Sequence, residues 1–129
     1  MDKKVKQVIV IRTQYPDGNG GCKGLRAGKL IAQGSHASNA CFVERFKSKT
    51  TSGLIEMWIQ TGTTKICCQV ETEEELLEIA KNARMAGLEC HVIEDAARTE
   101  LIAPAKTALA IGPDFAEKID KITGSLKLY

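Results

Sequence analysis

Hydrophobic and polar positions along the chain predict strands that alternate with helices. Strands are predicted where short apolar, β-branched runs end at turn residues, namely over residues 5–12, 63–70, 88–93 and 107–111. Helices are predicted where apolar residues recur every three or four positions, over residues 28–47, 52–60, 72–87 and 114–122. This alternation is typical of an α/β sandwich built around a mostly parallel sheet. We therefore expect a three-layer α/β/α sandwich.

The first predicted helix carries a polar face beside an apolar one. Lys29, Gln33 and His36 are spaced at i, i+4 and i+7, so they share one face. The neighbouring stripe is small and apolar and suits close packing on a sheet; its members are Leu30, Gly34, Ala37 and Cys41. Asp95 follows the third predicted strand, and sites in parallel sheets gather beyond the carboxyl ends of strands. If the first and third strands are parallel, Lys29 and Asp95 meet at the same edge.

Composition and charge narrow the class of protein. The 129 residues are 43% hydrophobic and 26% charged, which predicts one folded domain over residues 1–129. The net charge of +2 permits a polyanionic partner without requiring one. No apolar run approaches the ~20 residues of a membrane span, and the basic N-terminus lacks a signal-peptide core. The 5 cysteines are odd in number and lack Cys-x-x-Cys spacing, which indicates reduced thiols in a cytoplasmic protein.

Common cofactor motifs do not fit the chain. A phosphate-binding loop ending at the Gly-Lys pair of the first helix would need glycine at Lys23 and a hydroxyl residue at Leu30. A dinucleotide fingerprint fails at the same lysine. His36 and His91 lack metal-ligand spacing, so no metal and no cofactor are expected. Taken singly, the polar residues also fit ordinary structural roles, and alone they indicate only an α/β domain with a polar site at a sheet edge.

Four segments resemble type 2 peptidyl-tRNA hydrolases, the archaeal and eukaryotic form. Residues 28–37, Gly-Lys-Leu-Ile-Ala-Gln-Gly-Ser-His-Ala, resemble that family's Gly-Lys-x-Ala-Ala-Gln-x-x-His-Ala signature. Residues 95–100, Asp-Ala-Ala-Arg-Thr-Glu, are similar to its Asp-Ala-Gly-x-Thr motif. Residues 103–113 and 120–129 match as well. The resemblance runs in order over essentially the whole chain, which argues against coincidence.

The resemblance implies hydrolysis of the ester between a peptide and the terminal ribose of tRNA, without metal or organic cofactor. It also implies a four-stranded mixed sheet between helices and a homodimer. The residues that we assign to catalysis on this basis are Lys29, His36, Asp95 and Thr99. The residues that we assign to tRNA binding are Lys23, Arg26, Gln33, Arg98 and Thr107.

Ester hydrolysis needs an activated water, an oxyanion donor and a protonated leaving group. We expect Asp95 to orient or deprotonate the water, alone or together with His36. Lys29 then stabilises the oxyanion or a neighbouring phosphate, and the Thr99 hydroxyl positions the water or the ribose. The sequence leaves the choice between Asp95 and His36 as the base open.

Two departures from the family pattern bear on substrate binding. Ala27 stands where the family usually carries the first lysine of Lys-Gly-Lys, and Arg26 or Lys23 would have to supply that charge. The loop from Thr13 to Ala27 is also longer than the family norm. Two alternatives to peptidyl-tRNA hydrolysis are therefore kept. The first is a catalytically weakened relative that binds RNA or protein, and the second is a hydrolase of small esters or amides.

Overall fold

The computed structural model describes residues 4–48, 53–95, 101 and 103–129, with backbone alone for residues 44–48. The strands are β1 (Val5–Arg12), β2 (Tyr15–Pro16), β3 (Cys22–Lys23), β4 (Lys65–Val70), β5 (Cys90–Asp95), β6 (Ala105–Phe115) and β7 (Lys127–Leu128). The helices are α1 (Ala27–Ser48), α2 (Gly53–Gln60), α3 (Glu73–Met85) and α4 (Ala116–Thr123). Among the described helices, none has the length and apolar character needed to cross a membrane.

The main sheet is mixed and has 5 strands in the order β5-β6-β1-β4-β7, beside a separate hairpin of β2 and β3. β1 and β4 are parallel. β6 is antiparallel to both β1 and β5, and β7 is antiparallel to β4. The expected α/β fold with a mixed sheet is confirmed. The predictions of four strands and of a mostly parallel sheet are wrong.

The connections between strands explain both errors. β1 reaches β4 through α1 and α2, a crossover long enough for parallel pairing. β6 is the next described strand after β5 and pairs with it. The sequence predicts no helix between them, so antiparallel pairing is the natural outcome. β7 contains only 2 residues, which is too short to show an alternating pattern.

The sheet has an apolar core on each face. Val8 and Val10 of β1 belong to the core beneath α3 and α4. Ile9 and Ile11 point the other way and belong to the core beneath α1. This alternation follows from the two-residue period of a strand. The sheet therefore lies between two helical layers.

The small apolar stripe of α1 brings this helix close to the sheet. A Cβ added at Gly34 would lie 3.4 Å from Ile11 Cδ1. Ala37 and Cys41, further along the stripe, are 0% and 1% exposed. The predicted packing face of α1 is thus confirmed, and it fixes the direction in which the adjacent polar face points.

A bulge extends β6 beyond its predicted end. The helix was predicted to begin at residue 114, but β6 continues to Phe115 and α4 follows it. The register between β1 and β6 shifts between Lys6 and Val8, which leaves an extra residue on β6. Gly112 has φ +93, and an added Cβ would lie 2.8 Å from the Lys6 carbonyl oxygen, so glycine is required there. Pro113, which has no N–H for a ladder, is tolerated at such a bulge.

Candidate active site

The start of α1 and the end of β5 form an ion pair at one edge of the sheet. Lys29 Nζ lies 2.7 Å from Asp95 Oδ2, and the two side chains are 19% and 5% exposed. β1 and β5 run in the same direction because each is antiparallel to β6. The carboxyl end of β5 therefore lies at the edge where the chain leaves β1 for α1. The expectation that these two residues meet is confirmed, while their chemical roles stay predictions.

Gln33 and Thr107 extend this contact into the interior. Gln33 Nε2 donates to Asp95 Oδ2 at 3.3 Å. The Thr107 hydroxyl donates to Gln33 Oε1 at 2.7 Å. Because Oε1 is taken by Thr107, the amide turns its N–H toward the carboxylate. Gln33 and Thr107 are 6% and 1% exposed, so the structure directs these two predicted tRNA contacts toward Asp95 and away from the surface.

A cluster beside Asp95 was not predicted from the sequence. The Arg12 guanidinium lies over the Tyr15 ring, 4.3 Å from its centroid, and 3.7 Å from Glu73 Oε1. The Tyr15 hydroxyl donates to the Arg12 carbonyl oxygen at 3.3 Å. Burial raises the pKa of Tyr15 to about 12; Arg12 opposes this, whereas the charges of Asp95 and Glu73 add to it. Tyr15 is thus a neutral phenol near Asp95, and its only sequence signal is an aromatic residue just after a buried strand.

The long connection after β1 folds into the β2–β3 hairpin. Asp17 Oδ1 accepts hydrogen bonds from the backbone N–H groups of Asn19, at 2.7 Å, and Gly21, at 3.0 Å. These bonds hold the pKa of the Asp17 carboxyl below its usual value. In this hairpin Lys23 pairs with Tyr15. The hairpin therefore brings Lys23, one of the predicted tRNA contacts, to the edge that holds Asp95.

The remaining predicted residues lie around this edge or outside the described part of the chain. Arg26 is exposed just before α1, and Ala27 is the exposed first residue of that helix. His36 is exposed one turn beyond Gln33 and lines a groove between α1 and β5. Arg98 and Thr99 lie outside the described residues.

The described residues offer little for binding a metal or for thiol chemistry. Within residues 4–48, 53–95, 101 and 103–129, no group of 3 His, Cys, Asp or Glu side chains is arranged to hold a metal ion. None of the cysteines Cys22, Cys41, Cys67, Cys68 and Cys90 forms a disulfide. Burial raises the pKa of Cys90 to about 11 and also raises the pKa of Cys67 and Cys68. These three thiols stay protonated at neutral pH, which is unsuited to a nucleophile.

These features define an α/β sandwich protein with a compact polar site at the carboxyl end of an edge strand. The chain matches the family described as "Peptidyl-tRNA hydrolase PTH2" over residues 5–129. It is 40% identical to a peptidyl-tRNA hydrolase of Methanocaldococcus jannaschii over 124 residues, 96% of this chain and 99% of that relative. It is 36% identical to a probable peptidyl-tRNA hydrolase 2 of Schizosaccharomyces pombe over 126 residues, 98% of this chain and 57% of the relative. The chain belongs to the PTH2 family, as its motifs predicted.

Proposed function

We propose that this protein hydrolyses the ester between tRNA and a peptide or an N-blocked aminoacyl group, which frees the tRNA for reuse in translation. The observation that carries the proposal is the family match over residues 5–129. Relatives 40% identical over nearly the whole chain are named peptidyl-tRNA hydrolase. These names do not favour the alternative of a relative that only binds RNA or protein.

Asp95 and Lys29 carry the chemistry in this proposal. The Lys29 ammonium and the Gln33 N–H both favour the ionised form of Asp95. The carboxylate positions the attacking water and accepts its proton as a general base. Lys29 faces the oxyanion that develops on the ester carbonyl. The water oxygen bonds to the carbonyl carbon, the ester bond breaks, and the proton ends on the ribose oxygen. A positioned base contributes about 10²–10⁴ in rate, and an oxyanion donor about 10²–10³.

We propose supporting roles for three further residues. His36 stays the second candidate for the base, because it is exposed one turn beyond Gln33 and lines the groove between α1 and β5. Thr99 is proposed to position the water or the ribose, and Arg98 to contact a phosphate.

Gln33 and Thr107 act on Asp95 and not on tRNA in this proposal. Their burial and their chain of hydrogen bonds support a positioning role. The Thr107 hydroxyl orients the Gln33 amide, and that amide fixes one carboxylate oxygen of Asp95. We propose this role in place of direct contacts with tRNA. Variants of a positioning residue should change mainly kcat, whereas variants of a tRNA contact should change mainly KM.

Recognition of tRNA rests on phosphate contacts in this proposal. Lys23 lies on the hairpin and Arg26 just before α1, both near the edge that carries Lys29. Contacts to phosphate do not depend on sequence, which suits an enzyme that accepts many tRNAs. We further propose a single domain over residues 1–129, a homodimer and a cytoplasmic location, in keeping with the resemblance and with a role in translation.

Release of tRNA from N-acetylaminoacyl-tRNA, measured with a chelator present, tests the proposal. Wild type should turn over, and Lys29→Ala and Asp95→Ala should each lose about 10²–10⁴ in kcat. Lys6→Ala is the matched control, because its ion pair with Asp120 (2.6 Å) lies at the other end of β1. Full activity of both site variants would overturn the assigned site. Absence of turnover in wild type with tRNA binding retained would favour the binding module.

A further inference from the structure

In the described part of the chain, β5 is an edge strand with no strand paired to its outer side. It is the terminal strand in the order β5-β6-β1-β4-β7, and in the described part of the chain only β6 pairs with it. Such an edge is a ready template for another extended chain. β5 ends at Asp95, so its outer edge leads directly to the residue proposed to hold the attacking water.

The register identifies which backbone groups face outward. Cys90 lies opposite Ile111, and the Gly112 N–H donates to the Glu89 carbonyl at 3.0 Å. In an antiparallel pair, inward and outward backbone groups alternate from residue to residue. The backbone groups of Val92 therefore face outward, as do those of Cys90. The Cys90 carbonyl accepts from Arg84 Nη2 at 3.4 Å, so the open part of the edge begins after it.

A groove runs along this edge toward the site. It has a volume of about 560 Å³ and lies between β5 and the flank of α1. His36, Ala40 and Val43 line it from α1, and His91 and Ile93 from β5. α1 runs in the opposite direction to β5, because Lys29 near the start of α1 pairs with Asp95 at the end of β5. The groove thus extends from Val43 toward the ion pair, and its mixed lining suits side chains of several kinds.

We propose that the outer edge of β5 binds the peptide portion of peptidyl-tRNA as an added strand parallel to β5. This inference rests on the proposed function. The esterified residue is the C-terminal one of the peptide, and it must reach Asp95. A peptide that runs in the direction of β5 brings its C-terminus to that end, whereas an antiparallel peptide brings its N-terminus there. Pairing through the backbone is independent of side chains, as an enzyme for many nascent peptides requires.

Strand geometry sets the length of peptide that reaches the pairing groups. Val92 lies three residues before Asp95, which is about 10 Å along a strand. A substrate with a single N-acetylated residue ends near Asp95 and does not reach Val92. A peptide of about four residues extends past Val92 and can pair with its outward N–H and C=O. The rate should therefore rise with peptide length and level off near four residues.

Peptidyl-tRNAs of graded length test this inference. For wild type, kcat/KM should be about 10-fold higher for a four-residue peptide than for one N-acetylated residue, because two backbone hydrogen bonds are gained. Methylation of the peptide's backbone nitrogens should abolish this gain, because it removes the peptide's donors and places methyl groups between the paired strands. Changing the peptide side chains should alter it little.

Two variants test the edge itself. Val92→Pro removes the outward N–H and places the proline ring on the outer edge, without breaking the ladder to β6, since proline is tolerated at strand edges. Because the ring also blocks the approach of an added strand, the long-to-short rate ratio should fall to about 1. Val92→Ala loses similar packing but keeps the N–H and should retain the ratio. If Val92→Pro does not fold, the methylated peptides with wild type still decide the question.

The possible outcomes separate this inference from the proposed function. A wild type that fails on every acylated tRNA would overturn both. Equal rates for all lengths, unaffected by methylation, would overturn the added strand and leave the hydrolase intact. A dimer that becomes monomeric in Val92→Pro, with the length dependence unchanged, would show by sedimentation that a second copy occupies this edge and would also overturn the inference.

Discussion

Lys29 Nζ lies 2.7 Å from Asp95 Oδ2, and the carboxylate side chain is only 5% exposed. A carboxylate that is removed from water requires a nearby cation or hydrogen-bond donors to stay ionised. The pair therefore links the proposed chemistry to stability, because each partner limits the cost of burying the other.

Breaking this pair from one side should cost more than removing it whole. Lys29→Met leaves a buried carboxylate without its cation, and we expect a loss of about 3 kcal/mol in the free energy of unfolding. The double variant Lys29→Met/Asp95→Asn should recover much of that loss, because the charge is removed as well. Urea unfolding of the full double-mutant cycle measures both values. Lys6→Met, whose partner Asp120 has a side chain that is 54% exposed, should cost at most about 1 kcal/mol. A double variant no more stable than Lys29→Met would contradict the coupling.

Removing the Thr107 hydroxyl should lower kcat more than it changes KM. In Thr107→Val the Gln33 Oε1 loses its donor, so the amide is free to turn away from Asp95. We expect about a 10-fold loss of kcat, equivalent to one lost hydrogen bond. Thr107→Ser keeps the hydroxyl and should restore most of the activity. Steady-state kinetics on N-acetylaminoacyl-tRNA measure this; a raised KM at unchanged kcat would favour the tRNA contact first predicted.

Features written in a few adjacent residues could be predicted from the sequence. The helix predicted over residues 72–87 begins with the pattern Thr72-x-x-Glu75, and the Thr72 hydroxyl accepts the Glu75 N–H at 3.2 Å. Gly87 was predicted to end the same helix, and it has φ +76. Such caps depend on local geometry alone. The meeting of Lys29 and Asp95 required one further step, the direction of β1 and β5.

Features that depend on contacts between distant segments could not be predicted. The contact between Gln33 and Thr107 joins α1 to β6, and no spacing in the sequence encodes it. The proximity of Tyr15 to Asp95 likewise depends on how the hairpin folds back over the sheet edge.

The antiparallel direction of β6, in contrast, could have been predicted, because no helix was expected between the third and fourth strands.

A lysine at position 27 should tighten binding of tRNA. Ala27 is exposed at the start of α1, so an added lysine reaches solvent without displacing packed atoms. We expect KM to fall about 2- to 5-fold at low salt and the slope of log affinity against log salt to steepen by about 1. Met85→Lys is the control, because residue 85 is 77% exposed on α3, on the other face of the sheet. Equal effects of the two variants would indicate general attraction and no phosphate contact at position 27.

Tyr15 should make the protein less stable at high pH. Its pKa is about 12 in the folded chain against 10.0 for the free side chain. Between these values the unfolded chain loses the phenol proton while the folded chain keeps it. The contribution of Tyr15 is therefore complete below pH 10 and is lost as the pH rises toward 12. Cys90, with its pKa raised from 9.0 to about 11, adds a loss of the same sign that begins near pH 9.

Urea unfolding at pH 8, 10 and 11 separates the two contributions. Tyr15→Phe should cost about 1 kcal/mol at pH 8, where its hydrogen bond to the Arg12 carbonyl is lost. Above pH 10 its stability should fall less steeply than that of wild type, because the phenol proton is gone. Tyr129→Phe, at a tyrosine that is 58% exposed, is the matched control and should follow the wild-type curve. Parallel curves of stability against pH for Tyr15→Phe and wild type would contradict the role of the buried phenol. Adding Cys90→Ala to Tyr15→Phe should reduce the remaining loss of stability between pH 9 and 11.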